Sequence, residues 1–245
     1  MAPFLHLSVD DVLSGLATAS NCNRPLSSDP MIAALDRLHA AFGMPVDLYL
    51  FGECPEGRLD RLSADVARDL RARPWLRLGP HGADYETPPH RQPVPDLDAT
   101  LRGLFSAIEG MVGRDARSSW VRLHEFSEAY EAAPMLAAHG VRALLSTDKP
   151  AVAWRLPAPE RTVLGAHGRV RFGGIEFVRS HLRIERLLEE GVDRAELARR
   201  IEGIVEAHGF LVVFTHEVCF GDPGTAAMLH ELLDVCRGLG LHAPD

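Results

Sequence analysis

The chain alternates short apolar runs with longer amphipathic segments, which is the pattern of strands and helices that follow one another around a largely parallel sheet. The apolar runs predict strands at residues 4–9, 46–51, 75–78, 120–123, 141–146 and 210–214. The amphipathic segments predict helices at residues 31–42, 64–71, 96–112, 127–139, 193–208 and 223–239. We therefore expect an α/β fold.

Between residues 151 and 178 the pattern changes to short, turn-punctuated apolar stretches with several glycines, which predicts a small antiparallel β-rich insertion. Ser63 is a typical helix N-cap, and Gly43, Gly140 and Gly209 stand where helices are expected to end. No long linker rich in Gly, Ser or Pro divides the chain. Residues 1–245 are expected to form one domain.

Composition narrows the class of protein. The 245 residues are 46% hydrophobic, and no apolar run reaches the roughly 18 to 20 residues that a membrane span needs. The net charge of −8 argues against a nucleic-acid partner, which would favour a basic surface. The four cysteines are scattered and have no Cys-x-x-Cys spacing, so they are expected to be reduced thiols. With no signal-like segment at the N-terminus, we expect a cytoplasmic protein.

Polar side chains collect at the ends of the predicted strands. They are Asp10 with Asp11, His81, Arg122 with His124, Asp148, and Thr215 with His216. Because the carboxyl ends of parallel strands meet at one rim, and ligands bind there in α/β folds, these residues are candidates for one site.

Each of these features also has a structural interpretation. Asp10 and Asp11 could form a turn that caps a helix, or they could divide the tasks of binding a metal and accepting a proton. His124 could form an ion pair with Glu125. His216 could be a hydrogen-bonded histidine at the end of a buried strand. The residues alone leave these alternatives open.

Taken in order, the strand-end motifs resemble those of the polysaccharide deacetylases with NodB homology, a carbohydrate esterase superfamily. The motifs are Ser8-Val9-Asp10-Asp11, Gly79-Pro80-His81, Arg122-Leu123-His124-Glu125, Asp148 and Phe214-Thr215-His216. The segments 75–81, 122–124 and 214–217 are similar to the WbmS-type subgroup, which is associated with O-antigen biosynthesis. The resemblance implies a distorted (β/α) barrel, a divalent metal that is usually zinc, and removal of an acetyl group from a sugar.

The resemblance also implies roles for individual residues. Asp10 matches the catalytic base, and Arg122 matches the arginine that orients it. His216 matches the histidine that protonates the leaving group. Asp11 and His81 match two metal ligands.

The sequence departs from the family pattern at two positions. A second metal-binding histidine is expected four residues after the first, where Tyr85 stands, and the arginine motif lacks its proline, which is replaced by His124. We infer that His124 supplies the missing ligand, because imidazole suits zinc and strand ends at a barrel mouth point to one centre. Asp84 is the alternative ligand, with His90 farther along the chain.

The expected function is hydrolysis of the acetyl group of an N-acetylated sugar, which could be free, lipid-linked or nucleotide-linked. Trp154, Tyr85 and Phe126 could stack on a sugar ring or be ordinary packing residues. His181, Arg183 and Glu185 could also face the rim, but they are left out of the expected site. The alternatives are a non-catalytic carbohydrate-binding protein with the same fold and an unrelated metal-dependent barrel hydrolase.

Overall fold

The structure is a computed structural model, and it describes residues 3–126, 130–148 and 156–243. The helices are α1 Ser14–Asn21, α2 Pro30–Phe42, α3 Ala64–Arg71, α4 Val94–Val112, α5 Ala133–Ala138, α6 Ala158–His167, α7 Ile184–Glu189, α8 Arg194–His208 and α9 Pro223–Gly238. The strands are β1 Phe4–Val12, β2 Val46–Phe51, β3 Glu53–Cys54, β4 Gly57–Arg58, β5 Leu76–Gly82, β6 Trp120–Val121, β7 Ala143–Ser146, β8 Arg169–Phe172, β9 Ile175–Arg179, β10 Leu182–Arg183 and β11 Phe210–His216.

Two sheets form the centre of the molecule. Five strands pair in the order β10-β11-β1-β2-β5, and all of these pairs are parallel. Four strands pair in the order β6-β7-β9-β8, in which only the β8–β9 pair is antiparallel. A single parallel bridge from Leu78 to Arg117 links the edge of the first sheet to the segment that enters β6. The α/β class and the parallel central sheet are therefore confirmed, whereas closure into a barrel remains a prediction.

The central strands are apolar because both of their faces are covered. All six residues of β2 are buried, as are the first six of β11. Helix α9 packs against α2 and α8, and α8 packs against β11; Leu35, Ile201 and Leu232 of these helices are fully buried. The polar ends of the strands project beyond this core and form the rim at which the site lies.

Several helix boundaries are as predicted because local chemistry fixes them. The side chains of Ser63 and Asp193 accept hydrogen bonds from backbone amides in the first turns of α3 and α8. Gly43 and Gly209 adopt the left-handed conformation that ends α2 and α8.

The prediction for residues 151–178 is only partly correct. The β8–β9 hairpin is present, but Ala158–His167 is a helix, and residues 151–155 lie outside the described residues. Within α6 only Leu164 is buried, so the helix carries almost no apolar periodicity that the sequence could reveal.

Other differences involve short elements. The helix predicted at 127–139 is Ala133–Ala138, preceded by a 3-10 turn at Tyr130–Ala132, and residues 127–129 are not described. Helices α1 and α7 and strand β10 were not predicted. None of the helices in the described ranges is both long enough and apolar enough to cross a membrane.

Candidate metal and catalytic site

Asp10 and Asp11 both contribute to the rim because β1 is irregular where they stand. In a regular strand, successive side chains point to opposite faces. The register between β1 and β2 shifts between Val9 and Val12, and Asp11 has a left-handed φ of 60°. This bulge allows the carboxylates of Asp10 and Asp11 to face the same site. Asp11, one of the expected metal ligands, therefore has a backbone conformation that is uncommon for residues other than glycine.

Asp11 lies at the centre of a group of possible metal ligands. Its Oδ1 atom is 3.0 Å from Nε2 of His81 and 3.5 Å from Nδ1 of His124. One ligand atom from each of the three residues lies within 4.8 Å of the other two. The structure thus brings together the three residues that the sequence analysis assigned to a metal.

The hydrogen bonds of the two histidines fit a cation at this point. Nδ1 of His81 donates to the backbone carbonyl of Arg122 at 2.7 Å, and Nε2 of His124 faces the carbonyl of Tyr85 at 3.2 Å. A neutral imidazole has one N–H, so donation to a carbonyl leaves a lone pair on the other nitrogen. Both lone pairs are directed at the Asp11 carboxylate, and a divalent cation between them would match all three donors.

Packing holds both imidazole rings in place. The ring of Phe51 contacts the rings of His81 and His124 edge-on, with centroids 5.0 Å away in each case. His81 is 3% exposed and His124 is 7% exposed. Burial raises the pKa of Asp11, but the hydrogen bonds that His124 and His81 can donate to it in place of a metal outweigh burial and lower that pKa below its ordinary value.

The two alternative ligands are engaged elsewhere. Oδ1 of Asp84 accepts the backbone amides of Glu86 and Thr87, a turn geometry, and its Oδ2 accepts the Thr87 hydroxyl. His90 forms an ion pair with Glu125 at 3.9 Å. Neither belongs to a metal-ligating group among the described residues.

Asp10 is paired with Arg122 in the interior. Oδ2 of Asp10 is 3.0 Å from Nε of Arg122, and the two residues are 1% and 0% exposed. Arg122 also donates to the Ser180 hydroxyl at 2.7 Å, and its guanidinium lies 4.2 Å from the centre of the Phe214 ring. Burial raises the pKa of the Asp10 carboxyl, although the nearby Arg122 charge opposes this shift.

His216 lies beside Asp10, because the two are paired positions on the adjacent parallel strands β11 and β1. Nδ1 of His216 forms a short hydrogen bond with a carboxylate oxygen of Glu185. Burial disfavours the charged form of His216, but the Glu185 hydrogen bond and the Asp10 charge outweigh it, so the pKa is raised. A carboxyl and an imidazole with raised pKa values are therefore adjacent, an arrangement suited to acid–base chemistry.

Two open clefts meet at Asp11 and Tyr85. One has a volume of about 630 Å³ and is also lined by Phe51, Glu53 and Glu56. The other has a volume of about 510 Å³ and extends toward Asp29, Glu217 and Phe220. Tyr85 is 66% exposed and stands at the junction, where an aromatic ring can contact a sugar.

The other expected rim residues have structural contacts. Asp148 forms an ion pair with Arg183 at 2.8 Å, and Phe126 packs against Arg122. Trp154 lies outside the described residues.

Sequence reasoning missed the partners of the expected catalytic residues. Ser180 supports Arg122, and Glu185 holds His216. Glu185 was considered for the rim and left out, because β10 and α7 were not predicted and no element connected it to His216. A backbone carbonyl, such as the one of Tyr85 that fixes His124, leaves no signal in the residue type.

Comparison with solved structures shows which folds this chain resembles. A putative polysaccharide deacetylase from Mycobacterium smegmatis is 12% identical, with a TM-score of 0.58 over 100% of this chain and 94% of that one. A family 4 carbohydrate esterase from Streptomyces lividans, in complex with acetate, is 12% identical, with a TM-score of 0.56 over 99% and 92%. A 4-alpha-glucanotransferase from Thermococcus litoralis is 17% identical, with a TM-score of 0.62 over 96% of this chain but 38% of that one.

Matches at this level of identity are evidence of a shared fold. No protein-family model matches the sequence, and no curated protein matches it. The chain is therefore similar in fold to solved polysaccharide deacetylases, as the strand-end motifs implied, while closure of its sheets into a barrel stays a prediction.

Proposed function

We propose that the protein is a metal-dependent deacetylase that hydrolyses the acetyl group of an N-acetylated sugar. The observation that carries the proposal is the convergence of His81 and His124 on Asp11, directly beside the buried pair of Asp10 and Arg122. The similarity in fold to solved deacetylases, with these residues at the ends of the strands, supports it, because the solved structures with this fold include a carbohydrate esterase.

Asp11, His81 and His124 would hold the metal, with zinc as the best match to one carboxylate and two imidazoles. When bound, the metal would polarise the acetyl carbonyl and make a water molecule more acidic. The carbonyls of Arg122 and Tyr85 would keep the ligating nitrogens free of protons.

Asp10 would accept the proton of the attacking water. Its raised pKa makes it a stronger base than an ordinary aspartate, and the ion pair with Arg122 fixes its direction. His216 would donate a proton to the departing amine, and Glu185 would keep its ring charged and oriented. The two groups are paired positions on adjacent strands, so both are close enough to act on one acetamide.

The charge of the clefts favours one form of substrate. Besides Asp11, the two clefts are lined by the carboxylates of Glu53, Glu56, Asp84, Glu86, Asp29 and Glu217. Among the described residues, neither cleft is lined by a lysine, arginine or histidine. A phosphate group would be repelled there. We therefore favour an uncharged or amine-bearing sugar chain over a nucleotide-linked sugar.

We also propose that the reaction belongs to surface polysaccharide biosynthesis in the cytoplasm. The WbmS-type motifs of the rim support the first part. The four free cysteines, which suit a reducing compartment, support the second.

The first test is metal content. Asp11→Asn and His81→Ala should each reduce total bound zinc by about one equivalent relative to the unsubstituted protein, measured by elemental analysis after equilibration with excess zinc and removal of the unbound ion. His124→Ala should do the same, whereas Asp84→Asn is the matched control and should keep the metal. Loss of metal in Asp84→Asn with retention in His124→Ala would reject this ligand set.

The second test is catalysis. The protein should release acetate from N-acetylated amino-sugar oligomers faster than from nucleotide-linked amino sugars. Asp10→Asn should slow this release by about 10² to 10⁴-fold while zinc stays bound, since a general base contributes on that order. A zinc-loaded protein that binds the oligomers and releases no acetate would favour a non-catalytic carbohydrate-binding protein instead.

A further inference from the structure

A second group of metal-ligating side chains lies behind the proposed general acid. It consists of Glu185 at the start of α7, His216 at the end of β11, and Cys219 in the short 3-10 helix Glu217–Gly221. One ligand atom from each lies within 4.8 Å of the other two. From the sequence, the four cysteines are expected only to be reduced thiols, and none of them is expected at a site.

The spacing of His216 and Cys219 follows from the local backbone. The two residues are three apart: His216 is the extended residue that precedes the 3-10 helix, and Cys219 is the third residue of that helix. The turn of this short helix brings the thiol within 4.8 Å of a ring nitrogen of His216. Glu185 comes from a different part of the chain and closes the group through its hydrogen bond with Nδ1 of His216.

The environment leaves ligand capacity unused. Oε2 of Glu185 is buried and accepts no hydrogen bond, although its partner oxygen is bonded to His216. A buried carboxylate oxygen without a donor is uncommon and calls for a cation or a bound polar group. The three residues are nevertheless partly accessible, so an ion can reach them from solvent.

We propose that Glu185, Nδ1 of His216 and Cys219 form a second metal site, which takes a zinc-type ion and inhibits the enzyme. One carboxylate, one imidazole and one thiolate are ligands of borderline-soft ions such as Zn²⁺ and Co²⁺, and they do not suit Mg²⁺. Bond lengths of about 2.0 to 2.3 Å place the ligand atoms of a tetrahedral ion on the order of 3.3 to 3.6 Å apart. The ligand atoms lie within 4.8 Å of one another at present, and on binding the Glu185 carboxylate and Nδ1 of His216, now in hydrogen-bond contact, would move apart to admit the ion.

Inhibition follows because the ion would bind Nδ1 of His216, the proposed general acid. The inhibitory role therefore rests on the proposed function. In the active form Nδ1 of His216 carries a proton that Glu185 holds, and the other nitrogen donates to the leaving amine. On binding, the ion replaces the Nδ1 proton and the thiol proton, both of which pass to solvent, and it takes the Glu185 carboxylate. The ring then no longer cycles between imidazolium and imidazole, so general-acid catalysis stops.

Cobalt titration tests the site without reference to activity. Wild-type protein should bind two equivalents of Co²⁺ and develop a thiolate-to-cobalt charge-transfer band in the near ultraviolet. Cys219→Ala should bind one equivalent and lose the band. Cys22→Ala, which removes an exposed cysteine elsewhere, and Asp11→Asn, which removes a ligand of the other site, should both keep the band. A wild-type protein without the band, or an unchanged band in Cys219→Ala, would overturn the proposed site.

Zinc inhibition tests its effect. A second equivalent of Zn²⁺ should slow acetate release by about 10²-fold in wild type and in Cys22→Ala, the size of a general-acid contribution, and should leave Cys219→Ala unaffected. An active enzyme that shows the Cys219-dependent band without zinc inhibition would overturn the inhibitory role alone. If no acetate is released by any form, the deacetylase proposal fails, and the cobalt spectra still decide whether the second site exists.

Discussion

Removing the positive charge of Arg122 should destabilise the protein strongly, because it leaves the Asp10 carboxylate buried without a partner. Both side chains are at most 2% exposed and their charged atoms are 3.0 Å apart. Deleting one member of such a pair costs about 3 to 5 kcal/mol, against a total stability of about 5 to 15 kcal/mol for a typical domain. Arg122→Gln should therefore lose a large part of the free energy of unfolding.

The second partner can be removed to isolate the charge effect. Asp10→Asn alone leaves the Arg122 cation unpaired and should also destabilise. In the double variant both side chains are neutral, so the combined loss should be smaller than the sum of the single losses by about 2 to 3 kcal/mol. Urea unfolding of the four proteins, followed by circular dichroism, measures this coupling.

An exposed pair provides the matched control. Nη1 of Arg68 and Oδ1 of Asp65 are 2.6 Å apart on the surface of α3, and the two side chains are 67% and 58% exposed. Arg68→Gln should change stability little, because solvent screens such pairs. If Arg122→Gln were as mild as Arg68→Gln, or if the Asp10 and Arg122 losses simply added, the argument from buried charge would be refuted.

Three further predictions concern other parts of the fold. Glu217 accepts the backbone amides of the residues that begin α1, so Glu217→Ala should lower the free energy of unfolding by about 1 to 3 kcal/mol, measured in urea. Nδ1 of His181 accepts the Val212 amide, and burial lowers the pKa of His181 to about 3. The unfolded chain therefore binds more protons than the folded chain between about pH 6.5 and 3, so the free energy of unfolding should decrease as the pH is lowered, by up to about 1.4 kcal/mol per pH unit. His181→Gln should reduce this slope in unfolding experiments at pH 7 and 4.5. A Cβ on Gly79 would lie 2.9 Å from the Tyr49 ring, so Gly79→Ala should lower the melting temperature, while Gly103→Ala, with open space around it, should not.

The sequence predicts those elements whose signals are local. Strand 46–51 is a continuous run that is apolar except for Asp47, and it is found at Val46–Phe51. Helix α8 has its cap and its terminal glycine in the sequence, at Asp193 and Gly209. Elements that depend on tertiary contacts escape prediction: α6 buries a single leucine, and β10 is two residues long and exists only because β11 pairs with it.

The candidate site divides in the same way. Asp10, Asp11 and His81 are visible because polar residues at the end of an apolar strand are unusual, and the structure brings them together with His124 and Arg122. The left-handed backbone at Asp11, which turns two neighbouring carboxylates to one site, has no signature in an Asp-Asp sequence. Contacts across elements, such as Ser180 with Arg122, require knowledge of which strands are neighbours.

The peptide carbonyl of Arg122 accepts a hydrogen bond from His81, and the side chain of the same residue forms the ion pair with Asp10. His124 follows two positions later in the sequence. One short segment thus sets the orientation of two ligands and of the base, so any displacement of it should produce correlated losses in metal affinity and turnover. Side-chain substitution at position 122 is the exception, since it keeps the carbonyl. Insertions after β6 should abolish both properties together, whereas Arg122→Gln should separate them.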